Sequence, residues 1–462
     1  MEGQLFSSKP SSSSQSIVGK LQNVTVRYDG QCEEWPHLNM MENYTIVVDP
    51  IVGAIIYGRS IWGAIRGLET FSQLITYSNQ NEFLINTIKI KDFPRFKHRG
   101  LLIDSSRHFL PIKTIFKTLD SMEMNKLNVL HWHIVDDESF PFESETFPEL
   151  SRKGSYDPQY HVYRDEDVNA ILEYARQRAI RVVVEFDSPG HTWSWGLGQP
   201  GLLTPCYGPN GQPNGIFGPI DPTKPNNFKF IRNLFTEIAS RFKDQYIHLG
   251  GDEVSFDCWA TNPSIREFME QHQYGNDYTR LESYYVQKLV NIVKQLNRSY
   301  VVWQEVFDHN VTLKSDTVVH VWIGNDTSST WSTELSKVTE AGYQALLSSP
   351  WYLDLISYGP DWRKYYESEP YSFDGTDEQK RLILGGEAAV WAEYINGANM
   401  ISRTFPRVNA VAERLWSSQR LAKANRAVGR FRTQACRMIK LGIRIQPIDG
   451  PGWCECDYAL TD

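Results

Sequence analysis

The chain has 462 residues and a net charge of −8. With no long basic run and no Arg/Lys stripe, that balance excludes nucleic acid as a partner. No window approaches about 18 uninterrupted apolar residues, so no membrane span is expected. The aromatic excess, 14 Trp, 23 Tyr and 22 Phe, suits either a large core or a surface that packs on sugar rings.

Residues 1–20 are Ser-rich, with four consecutive serines at 11–14. They read as a disordered start without the apolar core of a signal peptide. Residues 21–94 alternate strand-like runs at 44–48 and 83–90 around a helical stripe of Ile61, Ile65, Leu68, Phe71, Leu74 and Ile75. This predicts a small α+β domain ending at the Asp92-Phe93-Pro94 turn. From 95 to 462 the pattern becomes β then α, repeatedly. Strands are predicted at 101–104, 129–136, 180–187, 246–253, 300–306, 318–323, 345–353 and 384–393. Helices are predicted at 112–124, 165–178, 227–242, 280–296 and 331–340, and a last one at 421–440. The fold class is therefore α/β, a (β/α)8 barrel behind a small α+β domain.

Six cysteines, Cys32, Cys206, Cys258, Cys436, Cys454 and Cys456, form no CxxC pair and no zinc-spaced cluster with His. They fit disulfides of an oxidising compartment, against the plainer reading of buried free thiols. Asn23, Asn43, Asn297, Asn310 and Asn325 open Asn-x-Ser/Thr glycosylation sequons.

Active sites of such barrels form at the C-terminal strand ends. The first strand delivers Arg107, the second Asp136 and Asp137, and the third His191. The fourth, YIHLGGDEV, delivers Asp252 and Glu253 behind two glycines. Trp303 and Glu305 follow from the fifth and Trp322 from the sixth. Trp351, Tyr352 and Asp354 come from the seventh, Trp391 and Glu393 from the eighth. Carboxylates and Arg hold sugar hydroxyls, and indoles pack on the ring face. The bland alternative is an acidic loop that caps a helix. His131 and His133, two apart on a strand, also resemble the opening pair of metal-dependent amidohydrolase barrels. The later strand ends offer Trp where that chemistry needs His, so no metal or other cofactor is expected, and the pair is placed inside the barrel among polar partners.

HLGGDEV, with SSRHFLP, HWHIVDDESFP, EFDSPGHT, VVWQEVFD, PWYLDLISYG and GGEAAVWAE, closely resembles the animal lysosomal β-N-acetylhexosaminidases of glycoside hydrolase family 20. The resemblance runs from about Tyr44 to Cys454. It implies exo-hydrolysis of terminal non-reducing N-acetylhexosamine by a retaining, substrate-assisted route, in which the 2-acetamido oxygen is the nucleophile. Glu253 would be the acid and then the base, and Asp252 would orient the acetamido group. Tyr352 would donate to its oxygen, and Trp303, Trp322 and Trp391 would wall it in. Arg107, Asp354 and Glu393 would hold hydroxyls, with Asp136 and His191 tuning the acid. The resemblance also implies disulfides Cys206–Cys258 and Cys436–Cys454, with Cys32 and Cys456 free unless paired together. It implies a homodimer in a lysosomal or secreted setting, acting on glycolipid, glycoprotein or chitin-type glycans. Asp354-Leu355 matches the subunit type that prefers neutral substrates. The family's signal peptide and opening strands are not found in the Ser-rich start. A chitinase would carry DxDxE rather than GGDEV. A silent sugar-binding relative, the alternative reading, would often have lost Glu253 or Tyr352.

Overall fold

A computed structural model describes residues 18–77, 82–324, 328–355, 357–421, 423–454 and 456. Most of the Ser-rich start, and the sequon at Asn325, lie outside the described residues. Val24–Tyr28, Gly53–Gly58, Tyr44–Asp49 and Ile88–Asp92 form a four-stranded sheet in that spatial order. Alternation along Tyr44–Asp49 turns Tyr44, Ile46 and Val48 inward. They pack with Phe71 of the helix Ile61–Leu74, whose N-terminus is capped by Ser60 Oγ accepting from Trp62 N and Gly63 N. The predicted run 83–90 is two strands. Phe83–Leu84 pairs with Thr76–Tyr77, and only Ile88–Asp92 joins the sheet.

A buried ionic cluster joins this sheet and helix to the rest of the chain. Glu42 Oε1 accepts from Arg66 Nε at 2.9 Å and from Arg99 Nη2, and Glu42 Oε2 accepts from Asn128 at 3.0 Å. Arg66 also donates to the carbonyls of Leu127, Arg178 and Ala179.

Eight parallel strands then close a barrel in sequence order. They are His98–Asp104, Val129–Val135, Arg181–Phe186, Tyr246–His248, Ser299–Trp303, Val318–Val321, Gln344–Leu347 and Ile383–Val390. The first three and the eighth are buried throughout, as parallel strands covered on both faces must be. Gly100 is required here: a Cβ would stand 2.3 Å from the side chain of Glu387, which lies inside the barrel.

Several strands stop sooner than the apolar runs suggested. The fourth ends at His248 because Gly250 and Gly251 take φ of +66° and +95°, outside the extended region. The fifth turns into the helix Gln304–Asp308 straight after Trp303, the sixth stops at Val321, and the seventh passes into the 3-10 turn Ser349–Trp351. So Asp252, Glu253 and Tyr352 stand on loops above the strands. The helices Ile112–Met124, Asp165–Arg176, Pro225–Arg241, Tyr278–Gln295, Ser328–Glu340 and Ala424–Lys440 lie within a few residues of the expected spans. No helix among the described residues is long and apolar enough to cross a membrane.

After the third strand comes a hairpin, Leu203–Tyr207 with Pro213–Ile220. Cys206 bonds Cys258 in the loop after the fourth strand, and Cys436 bonds Cys454. Cys32 and Cys456 are free. Asn23, Asn297 and Asn310 are exposed, and Asn43 is half-buried.

Candidate active site

The barrel interior carries a ladder of histidines and acids. His131 Nδ1 lies 2.8 Å from Glu387 Oε2 and its Nε2 lies 3.0 Å from Glu185 Oε2. His133 Nδ1 lies 2.7 Å from Glu185 Oε2 and its Nε2 lies 2.6 Å from Asp136 Oδ2. Carboxylates only accept, so each ring donates from both nitrogens and is an imidazolium. Burial opposes those charges. Glu387 and Glu185 nevertheless hold His131 up at about 9, and Glu185 and Asp136 hold His133 well above the imidazole range. Burial also pushes Glu185 up, but the surrounding histidines pull it well below the carboxylate range. Its Oε1 accepts from Trp303 Nε1 at 2.8 Å.

His131, His248 and His320 stand close enough to share an ion. Their nitrogens are already engaged. Gly250 N donates to His248 Nδ1, His248 Nε2 meets His320 Nδ1 at 3.3 Å, and His320 Nε2 meets Ser348 Oγ at 2.6 Å. Of these three, only His131 stood out in the sequence.

The ladder ends at the mouth. Asp136, buried, takes His133 and Arg107 Nη2 on Oδ2, the latter at 2.9 Å. Its Oδ1 accepts from His191 Nδ1 at 3.0 Å. Burial raises Asp136, but these donors bring it below the carboxylate range. His191 is pushed up to about 12 against burial, chiefly by Asp187, Asp136 and Asp252. Its Nε2 lies 3.8 Å from Glu253 Oε2 and 3.9 Å from both Asp252 Oδ2 and Asp187 Oδ2. His191 and Glu253 both sit in the left-handed region, at φ +54° and +49°. Such strain persists where the surroundings over-determine it, often at a site. Asp137 acts elsewhere, its Oδ1 accepting from Trp193 N at 2.8 Å.

Asp252 is buried while the Glu253 side chain is 62 % exposed. One acid therefore faces the interior and the other the opening. Burial pushes Asp252 up. It pushes Asp187 up further, with Asp252 adding to the effect. Asp187 was not singled out in the sequence, although its Oδ1 accepts from Gly251 N at 2.7 Å. A Cβ on Gly250 would overlap that same oxygen, so the first glycine of the GGDE run is there for Asp187.

Asp136, His191, Asp252, Glu253, Arg107, Trp322, Tyr352, Asp354, Trp391 and Glu393 all line one cavity of about 700 Å³, together with Asp187 and Leu355. Trp303 does not line it. It is 1 % exposed and packs behind, with ring centroids 6.4 Å from Trp322 and 6.1 Å from Trp391. Trp322 is set by Gln304, which accepts from Trp322 N and Ile323 N, and by Glu305, which accepts from Trp322 Nε1 at 2.8 Å. Burial and Asp252 push Glu305 up to about 7. Arg107 lies over Trp391, 5.3 Å from the ring centre, and is braced by Asp104 and Glu138. Burial raises Asp354 to about 6 and Tyr352 well above the phenol range. His191 Nε2, Asp187 Oδ2, Asp252 Oδ1 and Asp354 Oδ1 are buried without hydrogen-bond partners. Buried polar atoms cost free energy unless paired, so these four are positioned for a ligand rich in donors and acceptors.

Residues 96–419 match the family model described as glycosyl hydrolase family 20, catalytic domain, and residues 3–74 match one described as beta-acetyl hexosaminidase like. The chain is 52 % identical to the beta-hexosaminidase subunit beta of Mus musculus, over 95 % of this chain and 80 % of that one. It is 49 % identical to the subunit alpha of Bos taurus, over 93 % and 80 %. Overall identity therefore separates the two subunit types little. Among solved structures, the chitobiase of Flavobacterium johnsoniae superposes with a TM-score of 0.80 at 31 % identity. That alignment covers 91 % of this chain, which spans 63 % of the chitobiase's length.

Proposed function

This chain belongs to glycosyl hydrolase family 20, and on that premise we infer that it is a β-N-acetylhexosaminidase, a glycoside hydrolase that removes terminal non-reducing N-acetylhexosamine. The observation that carries the reading is the set of unpartnered buried atoms around Asp252, in a cavity walled by Trp322, Tyr352 and Trp391. A pyranose with an acetamido arm brings hydroxyls, an amide and an apolar face to that set.

Asp252 and Glu253 are adjacent in the chain and share His191, so they do not flank a sugar as the paired acids of an ordinary glycosidase do. The acetamido oxygen attacks the anomeric carbon while Glu253 protonates the departing oxygen. Glu253 then takes a proton from the water that opens the oxazolinium ring. Asp252, already buried, accepts from the acetamido N–H and stabilises the charge that grows there. Tyr352 donates to the acetamido oxygen. Trp322 and Trp391 confine the group, and Trp303 supports both from behind. Arg107, Asp354 and Glu393 hold the ring hydroxyls. His191, held by Asp136, steadies charge on Glu253.

The carboxylate of Asp354 and the apolar Leu355 form a wall that disfavours an anionic ring substituent, so neutral terminal GlcNAc or GalNAc is the preferred substrate. The exposed sequons and the two disulfides suit a lysosomal or secreted protein. The assembly proposed is a homodimer acting on glycolipid, glycoprotein or chitin-type ends.

The test is hydrolysis of a chromogenic N-acetyl-β-glucosaminide beside the plain β-glucoside, with Glu253→Gln as control. Cleavage of the acetamido substrate alone, lost by about 10³-fold or more in the variant, is expected. Comparable cleavage of the glucoside would mean a protein nucleophile and a different role for Asp252.

A further inference from the structure

The aromatic walls around Asp252 are not held alike. Tyr352 follows the 3-10 turn Ser349–Trp351 and bridges to Ala389 of the eighth strand. Trp391 follows directly on that strand and meets His133 edge-on, with ring centroids 4.9 Å apart. Trp322 lies just beyond the end of the sixth strand and is half-buried. Its place is set by the short helix Gln304–Asp308. Resting on the family reading above, we propose that Glu305 is a positioning residue that limits the length of N-acyl chain the site accepts, by tethering the Trp322 indole.

The tether is one hydrogen bond with a defined direction. An indole has a single donor and no acceptor. Trp322 Nε1 donates to Glu305 Oε2 at 2.8 Å. Gln304, one residue earlier and buried, accepts from Trp322 N and Ile323 N, both at 3.0 Å. Its own amide nitrogen donates to Asp308 Oδ2 at 3.3 Å, which turns the Gln304 oxygen toward the loop. Main chain and ring of Trp322 are thus fixed by neighbouring residues of one helical turn. The carboxyl of Glu305 keeps an accepting oxygen whether ionised or protonated, so the tether survives its titration.

The same helix reaches the other side of the pocket. A Cβ on Gly251, the residue before Asp252, would stand 2.4 Å from Val306 Cγ2. Glu305 and Val306 are consecutive, so one turn of helix sets the gap between Asp252 and Trp322. With Asp252 on the amide N–H and Tyr352 on its oxygen, the acyl chain beyond the carbonyl is left facing the indoles. Trp303 behind them is buried and anchored to Glu185. Trp322 is therefore the wall that yields when its bond is cut. Glu305 does not line the cavity, so it acts through Trp322 and not on the substrate.

The experiment compares chromogenic N-acetyl-, N-propanoyl- and N-butanoyl-β-glucosaminides. The wild type should favour the N-acetyl substrate, since a closed apolar pocket discriminates an added methylene by about tenfold or more. Glu305→Ala is expected to lower the kcat/KM ratio of N-acetyl over N-butanoyl about tenfold. Glu305→Gln, which keeps an accepting oxygen, should stay within about twofold of the wild-type ratio. Glu305→Asp is one methylene too short to reach the indole, so it should follow Glu305→Ala, and it carries the test if the alanine variant does not fold. A general structural defect would lower all three substrates alike and leave the ratio where it was. An unchanged ratio in the alanine or aspartate variant, or a shift in Glu305→Gln as large as theirs, overturns the tether, as does a wild type indifferent to acyl length. A wild-type protein that cleaves none of the three overturns the hexosaminidase reading instead.

Discussion

Inside the barrel, His131 and His133 each bridge two carboxylates, whereas at the mouth Asp187, Asp252 and Asp354 each keep an oxygen without a partner. Both tiers are rich in acids and differ in what surrounds them. Below, opposite charges alternate around His131 and His133, so their acids are held ionised and these two imidazoles protonated, while burial keeps His248 and His320 neutral. Above, buried acids crowd together, and burial outweighs the opposite charges near them, so their protons are held more tightly. Pairing fixes charge in the lower tier, and the upper tier leaves its charge to be settled by substrate. Asp136 belongs to both, which makes it the point where the fixed charges reach His191 and Glu253.

Breaking the lower tier gives the largest effect. Glu185→Gln leaves His131 and His133 without their shared anion. Removing one partner of a buried ion set costs about 3–5 kcal/mol, to be read by denaturant unfolding. The alkaline limb of the pH–rate profile should also move to lower pH, as His133 gives up its proton. A loss under about 1 kcal/mol would mean that the ladder does not hold its charge.

The next effect is on stability against pH. Glu305 at about 7 and Asp354 at about 6 hold protons that the unfolded chain releases near its ordinary carboxyl range of about 4. The folded state binds more protons across that interval, so this contribution favours folding in acid and is lost as pH rises through 6 to 7. His131, at about 9, is also raised. Its contribution is present below the ordinary imidazole value and lost as pH rises through 9. His98, His248 and His320, which burial holds below the imidazole range, give the opposite slope below about pH 6.5. Calorimetric Tm should therefore fall between about pH 7 and 9, and a Tm that rose there would contradict the tiers.

The smallest effect sharpens the upper tier alone. Asp354 ionises through about 6, so its repulsion of a sulfated N-acetylglucosaminide strengthens above that pH. The ratio of kcat/KM for unsulfated over sulfated substrate should rise severalfold from about pH 5 to 7, and Asp354→Asn should flatten it.

The upper tier was the more legible in sequence. The GGDE run, the Trp at strand ends and the Arg107 segment each break a pattern locally. The barrel itself could be read from eight apolar runs alternating with helical stretches. The lower tier was harder, because His248 and His320 sit singly within apolar runs and only closure of the barrel brings them to His131. Glu185 and Asp187 did leave a signal. Two apart on the predicted strand 180–187, they are expected to point to one side, as His131 and His133 do on the neighbouring strand, although the strand itself ends at Phe186. The overrun strand ends have a plain cause: hydropathy continues into buried turns, and only φ at Gly250 and Gly251 reveals the departure.

The joint at Glu42 bears on how the molecule comes apart. The turn at Asp92-Phe93-Pro94 looks like a place to cut. Yet Glu42 on one side is the counter-ion of Arg99 on the other, and Arg66 caps carbonyls at Leu127 and Ala179. Separating the pieces would leave the guanidinium of Arg99, on the first barrel strand, without its carboxylate partner. Arg66 of the helix and Glu42 thus anchor the small domain to the start of the first barrel strand and to the loops before the second and third, so the two parts should melt together as one cooperative unit.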